Sequence, residues 1–314
     1  MGSNFSEGAI IYKKNSDFEF LFFISEKGEL DIFRWDIEKE GKGHKAAEQA
    51  IGKEIGLKVE ALPYFSYEKP GNNKSIPNLK VFILRADNYE KIKIPKGYSS
   101  YKWLPYREAI KEVDQHMKVL LSHAYEYIRR YEEIQKVNKE YMRLSNSKGW
   151  KLSRRFVKGE GPVNAKVMVI GQAPGENEDK MLRPFVGRSG KLLDQMLREA
   201  GLKREKMYIT SAVQFFPPKN RLPTREEIEM CKPFLTKQVS IIKPKYIITL
   251  GNVAAKTIAG VENVDRNHGI VIKKDGITYL ITYHPAAALR FKRIKELMQK
   301  DLLKFSNIIN SKKE

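Results

Sequence analysis

The chain has little cysteine: one residue, Cys231, in 314. A disulfide framework is therefore excluded, and an intracellular protein is the expectation. A lone cysteine could be a nucleophile. Here it follows Glu226-Glu227-Ile228-Glu229-Met230, and neighbouring carboxylates oppose thiolate formation, so a packing role is expected. Long hydrophobic runs are also missing. Nothing approaches eighteen consecutive apolar residues, which excludes a membrane-spanning helix and leaves no membrane partner to expect. The first residues lack the basic flank and apolar core of a secretory signal. Met1-Gly2-Ser3-Asn4-Phe5-Ser6 fits only the loose myristoylation pattern, and an unmodified start is the expectation. Two phosphate-cradling signatures are absent as well. No GxGxxG follows the first strand of the second half, and Gly190-Lys191 lacks the spaced glycine and the following Ser or Thr of a P-loop.

Acidic charge is scarce in one half only. Through Arg130 there are 22 Lys and Arg against 19 Asp and Glu; beyond it there are 36 against 19, so most of the net charge of +20 lies there. A positive field on one part of a chain points to a polyanion, most simply nucleic acid. A lysine-rich, solvated surface is the alternative.

In the first half, Gly8–Tyr12, Phe18–Ile24 and Asp31–Trp35 read as strands. Lys45–Ile55 reads as a helix stopped by Gly56. Strand-like runs follow at Lys58–Tyr67, Lys80–Arg85 and Tyr101–Leu104, then helices at Arg107–Asp114 and His116–Arg130. This is an α+β pattern with a mixed sheet. Tyr131–Ser147 carries apolar residues at helical spacing and reads as a helical linker broken by Ser145-Asn146-Ser147-Lys148-Gly149. The expected division is a domain over 1–131, a linker over 132–149 and a second domain over 150–314.

The segment Trp35-Asp36-Ile37-Glu38-Lys39-Glu40-Gly41, the helix Ala46–Leu57 and the closing Lys102-Trp103-Leu104-Pro105-Tyr106-Arg107-Glu108-Ala109 resemble a Nudix domain of the branch that hydrolyses diadenosine tetraphosphate. Such hydrolysis needs several carboxylates on one helix to hold a divalent cation. The motif should end Arg-Glu-x-x-Glu-Glu-x-Gly; here it is Gln49-Ala50-Ile51-Gly52-Lys53-Glu54-Ile55-Gly56, with Glu48 one position out of register. A Nudix-like scaffold without hydrolase activity is expected, kept for binding, architecture or docking of a protein partner.

In the second half, strand-like runs at Ala165–Ile170, Met207–Val213, Tyr246–Leu250 and Ile277–Tyr283 alternate with helical runs at Ser189–Ala200, Thr224–Ile242, Val253–Ala259 and Phe291–Ile309. Alternation of this kind implies a parallel sheet with helices on both faces, and hence an α/β fold class. Ser189 and Thr224 are expected N-caps, Thr224 with Glu227 as a capping box. The unusual residues sit on the loops after the strands: the long polar stretch Gly171–Gly190, then Gln214–Arg221, Gly251-Asn252 and His284–Arg290. All are expected at the carboxyl edge of one sheet, where open α/β folds bind ligands.

These stretches, GQAPGENED…RPFVGRSGKLL, ITSAVQFFPPKNRLP…E…CKPFL, KPKYIITLGNVAAK and HPAAALR, resemble in order the family 4 uracil-DNA glycosylases over nearly all of 150–310. The resemblance implies a three-layer α/β domain that flips deoxyuridine out of DNA and hydrolyses its N-glycosidic bond. It places Gln172 and Glu178 at the water, and His284 as the donor to uracil O2 as charge builds on the leaving base. It places Ala173, Phe185, Ser211 and Asn220 on the base, with Phe185 stacking. It places Arg188, Arg221 and Arg290 on the DNA, with Ala288-Leu289 wedging into the gap.

Three departures fall on working positions. The family has Glu where this chain has Gln172, and an amide orients water without taking its proton; Glu178 and Asp179 could assume that task. The family has Asn where this chain has Ser211, and one hydroxyl cannot read a base edge with both a donor and an acceptor. The family's four iron–sulfur cysteines correspond to Ser147, Trp150, Phe215 and Cys231, so no cluster is expected and a hydrophobic plug is expected in its place. Two functions stay open: a glycosylase for uracil or a related deaminated base, and a glycosylase fold kept as a DNA-binding or docking module. A Nudix nucleotide hydrolase is the remaining, weaker alternative.

Overall fold

The structure, a computed structural model, describes residues 5–36, 43–65, 67–69, 78–88 and 91–311. Met1–Asn4 and Ile37–Gly41, on which the myristoylation pattern and part of the Nudix-like signature fall, lie outside the described residues, as does Ser66 of the expected strand Lys58–Tyr67. The chain divides into two compact units, Met1–Arg129 and Arg130–Glu314.

The first unit is a mixed sheet with helices. Its strands are β1 (Phe5–Lys14), β2 (Phe18–Ser25), β3 (Leu30–Asp31), β4 (Phe33–Asp36), β5 (Lys58–Ala61), β6 (Tyr67–Lys69), β7 (Asn78–Asn88) and β8 (Tyr98–Pro105). β1 pairs antiparallel with β2 and β4 and parallel with β7. Helix α1 (His44–Ile55) buries Ala46, Ala47, Ala50, Ile51 and Ile55, a helical stripe whose alanines allow close approach to the sheet core of Ile11, Phe23, Trp35 and Phe82. It ends, as the sequence implies, at Gly56 in the left-handed conformation, φ 76°. Helix α2 (Tyr106–Glu112) follows. The two helical runs expected over 116–147 are one helix, α3 (Gln115–Met142), with a 3-10 turn at Arg143–Asn146, and the division at Arg129/Arg130 falls inside it.

The second unit is built on β9 (Val167–Gly171), β10 (Met207–Ser211), β11 (Tyr246–Leu250), β12 (Val271–Lys274) and β13 (Ile277–Thr282), in the order β10-β9-β11-β13-β12. The first four in that order are parallel and β12 is an antiparallel edge. Every residue of β9, β10 and β11 is buried, as strands covered on both faces must be. The helices are α4 (Glu176–Met181), α5 (Arg188–Glu199), α6 (Arg225–Ile242), α7 (Gly251–Ala254, continued by a π-helical turn), α8 (Val264–Asn267), α9 (Pro285–Ala288) and α10 (Lys292–Ser311).

Three local expectations change. The cap of α5 is Gly187, not Ser189, because Glu178 binds the Gly187 N–H and sets where the helix starts. The stretch after β9 is not all loop, since α4 interrupts it. A hairpin, β12–β13, stands where only the second strand is expected; its signal is Asp275-Gly276, both at positive φ (50° and 76°), the pattern of a tight primed turn. Thr224 caps α6 with the expected reciprocal Glu227 capping box.

Candidate active site

The parallel register brings the strand ends level. Gly171 lies beside Ser211, Thr249 beside Ile170, and Leu250 beside Thr282. The loops carrying the unusual residues therefore leave one edge together. Two backbone bonds continue the pairing outward: Ala212 N–H donates to Gly171 O at 2.9 Å and Val213 N–H to Gln172 O at 3.0 Å.

The stretch after β9 is folded around one carboxylate. Glu178, buried in α4, accepts from Gly175 N–H at 3.1 Å, Val186 N–H at 2.9 Å and Gly187 N–H at 2.7 Å. It thereby ties the start of the stretch to its end. Arg183 is held outside it by a bidentate pair with Glu160 (2.9 and 2.7 Å), on a segment bridged to Ile209 of β10. Between these two anchors stands Phe185, buried and at φ 53°, a conformation a bulky residue adopts only when its surroundings impose it. Its ring covers the end of β9: a Cβ on Gly171 would come within 2.4 Å of Phe185 Cζ, and within 3.5 Å of Ser211 Oγ.

His284 faces this ring from the end of β13, with ring centroids 6.0 Å apart at 33°. It caps α9, Nδ1 accepting from Ala286 N–H at 3.2 Å, so the neutral imidazole carries its proton on Nε2. Burial pushes its pKa down to about 4. Gly251, at φ 85°, lies against it, and a Cβ there would stand 3.0 Å from His284 Cβ. Four strand ends thus meet around Phe185, Ser211 and His284.

The remaining expected residues divide. Gln172 is part-buried beside the strand end, and Asn220, at φ 55°, places Oδ1 3.6 Å from where a Gly175 Cβ would be. Arg188 and Arg290 are exposed and make no ion pair among the described residues. Four differ from expectation. Ala173 packs against the aromatic cluster around Phe215. The Glu178 carboxylate accepts from three backbone donors, two on Oε1 and one on Oε2. Arg221 is bidentate to Glu227 at 2.8 and 2.6 Å rather than open to a phosphate. Ala288 is 4 % exposed, whereas Leu289 beside it is 43 % exposed. Residues the sequence reading missed are Glu160, Arg183 and exposed Phe291; alternating apolar and basic residues at 289–293 are the signal that could have found Phe291.

Of the four positions that the resemblance matches to cluster cysteines, Ser147, Trp150, Phe215 and Cys231, only the last carries a thiol. Cys231, the sole thiol, is fully buried with Tyr141, Phe156, Val213 and Phe215, and Trp150 packs on them. Tyr141 stacks on Phe234 at 4.5 Å and 3°, and Trp150 meets Phe215 edge-on at 4.8 Å. Burial pushes the Cys231 thiol up to about 11, which disfavours the thiolate a metal needs. Among the described residues no group of three or more His, Cys, Asp or Glu could hold a metal ion. Among the described residues no helix is long and apolar enough to cross a membrane.

A parallel α/β sheet brings an aromatic, a histidine and a hydroxyl together at its carboxyl edge, and the sequence profile of the Uracil DNA glycosylase superfamily matches residues 158–306. A type-4 uracil-DNA glycosylase of Sulfurisphaera tokodaii is 38% identical over 189 residues, 56% of this chain and 85% of that protein. One of Pyrobaculum aerophilum is 40% identical over 166 residues, 49% of this chain and 84% of that protein. The chain belongs to the type-4 uracil-DNA glycosylase family. A solved Ap4A hydrolase of C. elegans, similar to the N-terminal region, covers 38% of this chain and 93% of its own, with a TM-score of 0.33 at 16% identity.

Proposed function

We propose that the second unit excises uracil, or a related deaminated base, from DNA by hydrolysing the N-glycosidic bond. The observation that carries this reading is the facing pair of Phe185 and His284 over Gly171 and Ser211. A flipped base stacked on Phe185 presents its edge to Ser211 and its O2 to the His284 Nε2–H. The C1′–N1 bond breaks with its electron pair going to the base, and His284 stabilises the resulting anion as a neutral donor. Water held by Gln172 adds to C1′. Its proton ends on the uracil anion, giving free uracil and an abasic sugar. Glu178 acts as a positioning residue for this stretch, not at the water. Ser211 offers a single hydroxyl and discriminates bases less than an amide would. Arg188, Arg290 and the segment after it meet the phosphates, in keeping with the basic excess of this half.

The enzyme in this reading works without an iron–sulfur cluster. The aromatic cluster supports Ala173 and the start of the stretch directly, and one buried thiol cannot replace about four ligands. The first unit is read as a Nudix-like domain over 1–131 that does not hydrolyse nucleotides, followed by 132–149 and the glycosylase domain over 150–314. Supporting this, Glu48 is spent on Ala61 N–H at 2.8 Å, and Lys53 stands beside Glu54 where a metal ligand would be needed. A docking role for that unit remains part of the proposal. The engagement of Glu178, with Gln172 in place of Glu, favours one second reading: a DNA-binding module with weak catalysis.

One assay separates the two. Oligonucleotides, single-stranded and duplex, bearing uracil, hypoxanthine or no lesion are incubated with the protein and treated with alkali. Cleavage at uracil, slowed about 100- to 1,000-fold by His284→Ala, supports the enzyme; tight binding with no abasic product from any base supports the module. Iron content and visible absorbance of the same preparation test the missing cluster.

A further inference from the structure

The segment after α9 carries more than one apolar residue into solvent. With Ala288 buried, Leu289 (43 % exposed) and Phe291 (59 % exposed) both project from it. Arg290, Lys292 and Arg293 between and after them are exposed as well. The backbone beneath is fixed: Leu289 N–H donates to Pro285 O at 3.1 Å, and Arg290 and Phe291 N–H both donate to Ala287 O at 3.0 Å. Lys295 N–H donates to Phe291 O at 3.1 Å and starts α10. Phe291 is therefore presented by two joined helices on the same edge as His284, not by a free loop. A solvent-facing phenyl ring is a cost in water. Interleaved with three cations, it has the make-up of a base-stacking platform on a phosphate-binding surface.

We infer that Phe291 is a second stacking element, which together with Leu289 opens duplex DNA. Its occupant is a nucleobase beside the gap left by the flipped nucleotide. Charge complementarity and continuity with the His284 edge argue for a base rather than a protein side chain. The inference rests on the base-excision reading of the site and extends it to duplex substrates. Leu289 fills the vacated position, and Phe291 stacks on the neighbour, holding the step unstacked.

The test uses the full chain with duplexes containing a stable abasic analogue, and 2-aminopurine either opposite the lesion or at its flanks. Wild type is expected to raise 2-aminopurine fluorescence at one of these positions. Phe291→Ala is expected to lose that rise and to bind the duplex about tenfold more weakly. Phe291→Trp should restore both, and the loss in Phe291→Ala should be larger on duplex than on single-stranded substrate. A Phe291→Ala protein with wild-type duplex affinity and an intact fluorescence rise overturns the inference, as does equal loss on single strands. Wild type that shows the rise yet releases no uracil overturns the glycosylase reading and supports the role of Phe291.

Discussion

Glu178→Gln distinguishes a carboxylate that builds the site from one that reacts in it. The wild-type side chain uses Oε1 for Val186 and Gly187 N–H and Oε2 for Gly175 N–H. A glutamine has one acceptor oxygen, and its NH2 must face at least one of these donors. One buried N–H then loses its partner and meets another donor, and the surviving bonds lose their charge assistance. At about 1–3 kcal/mol for an unsatisfied buried group, with more for bonds to charge, the loss is roughly 2–4 kcal/mol. It is concentrated in residues 171–190, so hydrogen exchange by mass spectrometry is the natural assay. The amides of Gly175, Val186 and Gly187 should exchange about 30-fold faster or more, as a loss of this size implies. Excision should fall with them, since Phe185 sits between the ties. Unchanged exchange with excision abolished would refute this reasoning and return Glu178 to a role at the water.

His284 should set the acid limit of activity: with its pKa pushed down to about 4, excision per enzyme should hold at pH 5 and fall as the imidazole charges near pH 4. The same depression below the ordinary 6.5 means that the fold favours the neutral ring. Its contribution to stability is present above 6.5 and is lost as pH falls toward 4, so His284→Ala should lose less stability than wild type across that window in urea titrations. Phe215→Ala removes a fully buried ring touching Tyr141, Trp150 and Phe156, and should cost about 3–5 kcal/mol in denaturant unfolding of the second unit. Thr224→Ala should cost about 1 kcal/mol through the lost cap of α6, read the same way.

The alternation of apolar strands and helices announced the parallel sheet, and with it the edge on which every candidate loop would meet. Phe185 came only from the resemblance to the glycosylases, whereas His284 also follows an apolar run, Ile277–Tyr283, whose end the sequence locates. Where one side chain can serve two partners, local sequence does not say which it takes. Glu178 and Arg221 are charged residues in motif stretches, and nothing local reveals that backbone amides and Glu227 have claimed them. Ala288 and Leu289 are adjacent, and only the turn of α9 decides which is buried. The buried positions in 131–147 follow the same logic: Ile134, Val137 and Tyr141 have the spacing of a packed helix face, and their burial was set by partners distant in sequence, Phe215 and Phe234 against Tyr141 among them. The β12 strand, half exposed and lysine-rich, had too weak a pattern to register, although its Asp-Gly turn was visible.

The most direct measurement is the single-turnover rate of uracil release from a uracil-containing duplex by purified wild type and His284→Ala, with free uracil identified by mass. Release of uracil, slowed about 100- to 1,000-fold by the substitution as removal of one preorganised donor implies, is the expected result. No release by wild type under conditions of saturating binding, or equal rates for the two proteins, would contradict the assignment of this edge as the site of base excision.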